Sequence, residues 1–85
     1  MDVSEIENIL KQALTLDELH VTFDGSQCTI KAVADMFADL SRVKRQQLIY
    51  APLAEVINQG LIHAVTIKTF TNAQWQRDKM FNLPS

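Results

Sequence analysis

Apolar residues recur at three- and four-residue intervals near the start of the chain, between residues 4 and 14. They are Ile6, Ile9, Leu10, Ala13 and Leu14. This spacing is typical of the buried face of an amphipathic helix. Ser4 followed by Glu7 has the spacing of a capping box, which gives hydrogen-bond partners to the backbone N–H groups of the first turn. The pattern predicts a helix that begins near Ser4.

Strict alternation of apolar and polar residues follows, which is typical of a half-buried strand. The apolar members are Leu19, Val21 and Phe23, and His20, Thr22 and Asp24 lie between and after them. Asp24-Gly25-Ser26 is a turn sequence, because glycine tolerates a positive φ. A second strand from about Cys28 to Val33 would complete an antiparallel hairpin.

The middle of the chain is predicted to be helical. Residues 34–40 suit a short helical turn, and Ser41 is a suitable N-cap for a longer helix that Gly60 ends after about Asn58. Pro52 lies inside that helix. Because proline lacks the backbone N–H and clashes with the preceding turn, we expect a kink or a break near Tyr50.

A third strand is predicted for residues 61–70, followed by a last helix that Thr71 or Asn72 caps and that reaches about Met80. The order is α-β-β-α-α-β-α, an α+β fold. The helical connection is long enough for a right-handed crossover, so the second and third strands should be parallel. We expect one domain over residues 1–85, with a three-stranded mixed sheet, helices on one side and a frayed tail at about 81–85.

Composition narrows the class of protein. Eighty-five residues suffice for one core, and 47% hydrophobic residues are ordinary for a globular domain. Cys28 is the single cysteine and the acidic start lacks a signal-peptide pattern, so we expect a cytoplasmic protein. The net charge of −2 argues against a dedicated nucleic-acid binder. An enzyme is disfavoured, because no nucleophile, base and orienting group form a recognisable signature and no glycine-rich phosphate loop is present.

Two residues could ligate a metal. His63 follows a helix-ending glycine, at a strand start where its side chain can stay accessible, although a structural histidine is the commoner case. Cys28 could be a ligand or a small buried hydrophobe, and His20 is expected to be solvated. Two ligands cannot complete a four-ligand zinc or iron–sulfur site, so such a site would need a partner.

Three cationic residues, Arg42, Lys44 and Arg45, lie in the first turn of the long helix. Positive charge there opposes the helix dipole, at a cost of about 0.3–1 kcal/mol each. Either the turn is a solvated surface, or it forms a site for an anion or an acidic partner, since a helix N-terminus already offers backbone donors.

The runs Met36–Tyr50, Pro52-Leu53 and Ile62–Lys68 resemble the BolA family, and within it the bacterial branch called IbaG or YrbA. The Ser-Arg-Val-Lys-Arg-Gln-Gln segment from Ser41 and the Ile-His-Ala segment are specific in combination. The resemblance covers nearly the whole chain, and it implies the helix and strand order that the periodicity predicts.

The resemblance implies a partner-dependent role in iron–sulfur trafficking or iron and redox sensing. BolA-like proteins pair with monothiol glutaredoxins, and the heterodimer can share a [2Fe–2S] cluster with glutathione. His63 matches the family's histidine ligand, and a second ligand comes from the loop between the first two strands. The loop histidine of close relatives falls opposite Gln27, so Cys28 is the candidate here and His20 a fallback. A homodimer of the protein without its partner is a further alternative.

The same resemblance leaves a second function open. The BolA fold is similar to the class II KH domain, so the alternative is a nucleic-acid-binding transcriptional regulator that would use Arg42, Lys44 and Arg45. The chain lacks the Gly-X-X-Gly loop with which KH domains clamp a nucleic-acid backbone.

Overall fold

The computed structural model describes residues 1–81. Its elements follow the predicted order: α1 (Val3–Ala13), β1 (Glu18–Phe23), β2 (Gln27–Val33), a 3₁₀ helix (Asp35–Asp39), α2 (Arg42–Asn58), β3 (Ala64–Phe70) and α3 (Asn72–Phe81). Of the tail predicted to fray, residues 82–85 lie outside the described residues. None of the helices within residues 1–81 is long and apolar enough to cross a membrane.

The start of α1 differs from the prediction. Asp2, in an extended conformation, is the N-cap, and its Oδ1 accepts a hydrogen bond from the Glu5 N–H at 2.9 Å. Ser4 lies within the first helical turn, so the predicted capping box at Ser4 is wrong. Asp and Ser are about equally good caps, and the helix extends to the earlier of the two.

Helix α2 begins and ends as predicted. The Ser41 Oγ accepts from the Lys44 N–H at 3.2 Å. At the other end Gly60 has a φ of +78°, and its N–H donates to the Ile57 carbonyl at 3.0 Å while the Leu61 N–H donates to the Val56 carbonyl at 3.1 Å. This pair of bonds is a Schellman motif, which satisfies carbonyls at the helix end.

The break expected near Tyr50 is absent, and α2 continues through Pro52. Proline still removes one intrahelical hydrogen bond. The fully buried Ile49 and Leu53 flank it, and most of the stability of a protein helix comes from such packing. Burial on both sides of the proline therefore keeps the helix intact.

The sheet has the strand order β1-β2-β3. β1 and β2 are antiparallel, with Phe23 opposite Cys28, and β2 and β3 are parallel, with Gln27 opposite Ala64. Both pairings confirm the predicted mixed sheet. β3 begins at Ala64 rather than Leu61, because Ile62 is buried in the core before the strand starts.

The core lies between one face of the sheet and the helices α1 and α2. It consists of Ile6, Leu10, Val21, Cys28, Ile30, Ala32, Ala34, Phe37, Ile49, Leu53 and Ile62. Each strand contributes alternate residues to this face, which is the period-two pattern of a sheet with one buried side.

Helix α3 packs differently from the expectation of helices on one side. Trp75 is 7% exposed, and its ring stacks on His20 with centroids 5.2 Å apart. His20 has the opposite strand parity to the core residue Val21, so this contact lies on the other face of the sheet. α3 begins with a capping box, in which the Thr71 N–H donates to Gln74 and the Gln74 N–H donates back to the Thr71 hydroxyl.

Candidate functional site

His63 lies at the surface, immediately before β3 and beside the β1–β2 loop. Its backbone N–H donates to the Ser26 carbonyl at 3.2 Å, and the Ala64 N–H donates to the same oxygen at 3.1 Å. Gly25, with a φ of +80°, makes the turn that places Ser26 there. The imidazole is exposed. A partner that approaches this end of the sheet can therefore reach His63.

Cys28 occupies a different environment. It is 1% exposed and belongs to the core, on the same side of β2 as Ile30. Burial raises the pKa of the Cys28 thiol, so it stays protonated and poorly nucleophilic at neutral pH. Within residues 1–81 there is no group of three or more His, Cys, Asp or Glu side chains that could hold a metal ion. In this conformation the chain presents one of its two proposed ligands, His63.

The raised pKa of Cys28 predicts a loss of stability at alkaline pH. Above about pH 8.5 the unfolded chain releases a proton that the folded chain keeps, so the free energy of unfolding falls as pH rises. The slope cannot exceed ~1.4 kcal/mol per pH unit, the value for one proton. Urea titrations between pH 7 and 9.5 measure it. Cys28→Ala should show a flatter profile, and parallel profiles would contradict the prediction.

His20 is not merely solvated, as the sequence suggested. It stacks on Trp75, whose ring also has Phe70 at 5.1 Å and the Lys79 Nζ at 5.3 Å. His20 is paired with Lys31 in the middle of the hairpin, away from the loop. Its contacts point to a role in packing α3 onto the sheet.

The structure separates the three cationic residues of the predicted basic turn. Arg42 and Arg45 line an open cavity of about 790 Å³ together with Lys68 and Arg77, whereas Lys44 is not part of its lining. Arg45 is held in place, because its Nε donates to the Leu40 carbonyl at 3.1 Å. Lys68 and Arg77 were missed from the sequence, since they lie on β3 and α3 and only the fold brings them to the start of α2.

Comparison with known proteins decides the family. The family model described as "BolA-like protein" matches residues 16–74, which include the hairpin, α2 and β3. This chain belongs to the BolA family. It is 48% identical over 82 residues to the acid stress protein IbaG of Escherichia coli K12, an alignment that covers 96% of this chain and 98% of the relative.

Solved BolA-family structures share the fold. BolA1 from Arabidopsis thaliana matches with a TM-score of 0.74 and 27% identity, over 84% of this chain and 92% of that one. A Bol-like protein from Babesia bovis matches with a TM-score of 0.77 and 24% identity, over 93% and 94% of the two chains. The resemblance found in the sequence is thus confirmed, for both the family and the fold.

Proposed function

We propose that this BolA-family protein pairs with a monothiol glutaredoxin and that His63 supplies one ligand to a [2Fe–2S] cluster held between the two. The observation that carries the proposal is the position of His63, exposed beside the β1–β2 loop and anchored through its own backbone to Ser26. The protein would act by sharing a cluster with its partner and not by catalysing a reaction.

The ligand set explains why a partner is needed. A [2Fe–2S] cluster requires four ligands, and at the β1–β2 loop the folded chain presents the imidazole of His63. The glutaredoxin and glutathione would each bring a thiolate. Cys28 could be the fourth ligand only if the start of β2 moved out of the core, because its thiol is buried there. Its ligand role stays a prediction.

The experiment is reconstitution of the protein with a monothiol glutaredoxin, iron, sulfide and glutathione, followed by visible absorption spectroscopy. The mixed complex should differ from the all-thiolate glutaredoxin dimer, because imidazole ligation raises the cluster potential and changes its electronic spectrum. His63→Ala should abolish that difference.

The matched control is His20→Ala, which removes the chain's other histidine from a site away from the loop. The mixed complex of His20→Ala should retain the wild-type spectrum. An unchanged spectrum in His63→Ala would show that His63 is not a ligand. Failure of wild type to form a mixed complex would remove the proposed function itself.

A further inference from the structure

β3 is an edge strand, and half of its backbone groups point away from the sheet. The Ala64 N–H donates to Ser26 and the Phe70 carbonyl accepts from the Ala34 N–H at 2.9 Å, so the even-numbered residues face β2. Backbone direction alternates along a strand in a parallel pair. The N–H and C=O groups of Val65, Ile67 and Thr69 therefore point outward. Such a row is a template for pairing with another strand.

One of these outward groups already has a partner. The Gln46 Nε2 donates to the Ile67 carbonyl at 2.8 Å. Within residues 1–81 the other outward backbone groups of these three residues have no hydrogen-bond partner. The Gln46 amide lies at the position that a donor on an added strand would take, which shows that this edge accepts a bond from outside the sheet.

A groove runs along this edge and changes character from one end to the other. At the start of β3 a cavity of about 420 Å³ is lined by Tyr50, Ala51 and Val65, together with glutamine side chains. Gln46 and Ile67, which are joined by a hydrogen bond, line both this cavity and the larger cationic one, so the two cavities adjoin at this point. The groove is therefore apolar at one end and cationic at the other.

The lining of the cationic end has a large excess of positive charge. Four of the eight cationic side chains of the sequence line it, Arg42, Arg45, Lys68 and Arg77, and Asp78 is its one acidic lining residue. The whole chain has a net charge of −2, so the side chains outside this lining have an excess of acidic over cationic groups, nine against four. Electrostatic complementarity favours an occupant with a short acidic segment, positioned by the charges at one end.

We propose that this groove binds an extended acidic peptide segment of a partner protein, which adds to β3 as a fourth strand. Its backbone would pair with Val65, Ile67 and Thr69, displacing or joining the Gln46 bond. An apolar side chain would lie near Tyr50 and Val65, and carboxylates would lie among the arginines, whose planar guanidinium groups bind carboxylates in bidentate fashion.

The geometry favours a peptide over a single-stranded nucleic acid. Outward groups on every second residue of β3 match the spacing of a paired strand. Single-strand binders combine a cationic track along the whole backbone with aromatic platforms for the bases. Here the cations occupy one end only, and the aromatic lining residues do not form a continuous platform beside them: Phe70 is half-buried and packed against Trp75, and the exposed Tyr50 lies at the other end. A longer polyanion would also be repelled by the net negative charge of the remaining side chains.

The cationic end of the groove is far from the proposed cluster ligand, whereas the apolar end begins at Val65, two residues after His63. Seven residues of β3 span about 20 Å, at ~3.3 Å per residue, and His63 precedes the strand while the cationic end is at Thr69 and Phe70. The peptide-binding experiment that tests the groove uses neither glutaredoxin nor iron. Its failure would leave the role of His63 untouched, and failure of cluster assembly would leave the groove untouched.

The probes are two fluorescein-labelled synthetic octapeptides. Each has a segment of four alternating valine and threonine residues and a segment of four glutamates. The glutamates are at the C-terminal end of one peptide and at the N-terminal end of the other. We expect saturable binding of one of them by fluorescence anisotropy, and the orientation that binds gives the strand direction. Arg42→Gln/Arg77→Gln should weaken binding about tenfold or more, since charge-assisted hydrogen bonds are lost. The control is Lys11→Gln/Lys44→Gln, which makes the same change in net charge outside the groove. This double variant should change the peptide affinity by less than about twofold.

Amide hydrogen exchange of the wild-type protein tests the pairing without any variant. Bound peptide should slow exchange at the Val65, Ile67 and Thr69 amides, and leave Thr66 and Lys68, which already face β2, unchanged. Absence of this alternation, or equal weakening by both double variants, would overturn the proposal. If a twelve-residue oligothymidylate binds more tightly than the peptides at 150 mM salt, the proposal is overturned in favour of a nucleic acid. If self-association without peptide gives the same protection, it is overturned in favour of a second copy of the chain.

Discussion

Replacement of Phe37 by alanine is expected to lower the free energy of unfolding by about 3–5 kcal/mol. Phe37 is fully buried, and the 3₁₀ helix that carries it connects β2 to α2. Truncation would leave a cavity between the sheet and the helices that backbone movement can fill only partly. Domains of this size have a stability of roughly 5–10 kcal/mol, so the variant should lose about half of it. Urea denaturation followed by circular dichroism measures the change.

Met36 provides the matched control. It is the neighbouring residue in the same 3₁₀ helix and is 38% exposed. Met36→Ala should cost about 1 kcal/mol, because more than a third of the residue stays in water and less buried apolar surface is lost than at Phe37. Equal losses in the two variants would show that the position of Phe37 in the core is wrong. If Phe37→Ala does not fold, Phe37→Leu should fold with a smaller loss that still exceeds that of Met36→Ala.

The Cys28 thiol is expected to react with an aromatic disulfide reagent at pH 8 at least about 100-fold more slowly in the native protein than in urea. The thiol is buried in the core and its pKa is raised by that burial, so both access and thiolate formation are suppressed. Reaction then requires local opening of β2, and an opening free energy of ~3 kcal/mol corresponds to the 100-fold factor. Absorbance of the released thiolate gives the rates.

The same measurement bears on the second cluster ligand. Slow labelling together with an unchanged mixed-complex spectrum in Cys28→Ser would remove Cys28 from the ligand set. Rapid labelling of the native apo protein would contradict the buried position. If labelling is slow but Cys28→Ser alters the spectrum, the start of β2 must leave the core when the cluster binds.

Features that depend on a few consecutive residues could be predicted from the sequence. The Asp24-Gly25-Ser26 turn, the Ser41 cap and the Gly60 stop each follow from local hydrogen bonds or from a positive φ, and each is present. The start of α1 could not be settled in this way. Asp2 and Ser4 are both good caps, and the choice between them depends on which start packs better.

Features that depend on contacts between distant parts of the chain could not be predicted from local sequence patterns. The position of α3 on the second face is fixed by contact of Trp75 with His20, residues 55 positions apart in the sequence. The cationic groove likewise combines α2, β3 and α3, so the cluster at Arg42 and Arg45 was visible in the sequence but Lys68 and Arg77 were not. The predicted basic turn therefore contributes two of the four cations that line this cavity.

The crossover between β2 and β3 also has a consequence for the order of folding. Residues paired across these strands, such as Gln27 and Ala64, are separated by the whole of α2. The β1–β2 hairpin closes over a short turn, whereas the parallel pair forms only after this long segment has been brought together, at a larger loss of chain entropy. The hairpin and α2 can therefore form before β3 docks. In a nascent chain, β3 would be the last part of the sheet to find its place, and His63 would reach its position beside the β1–β2 loop only then.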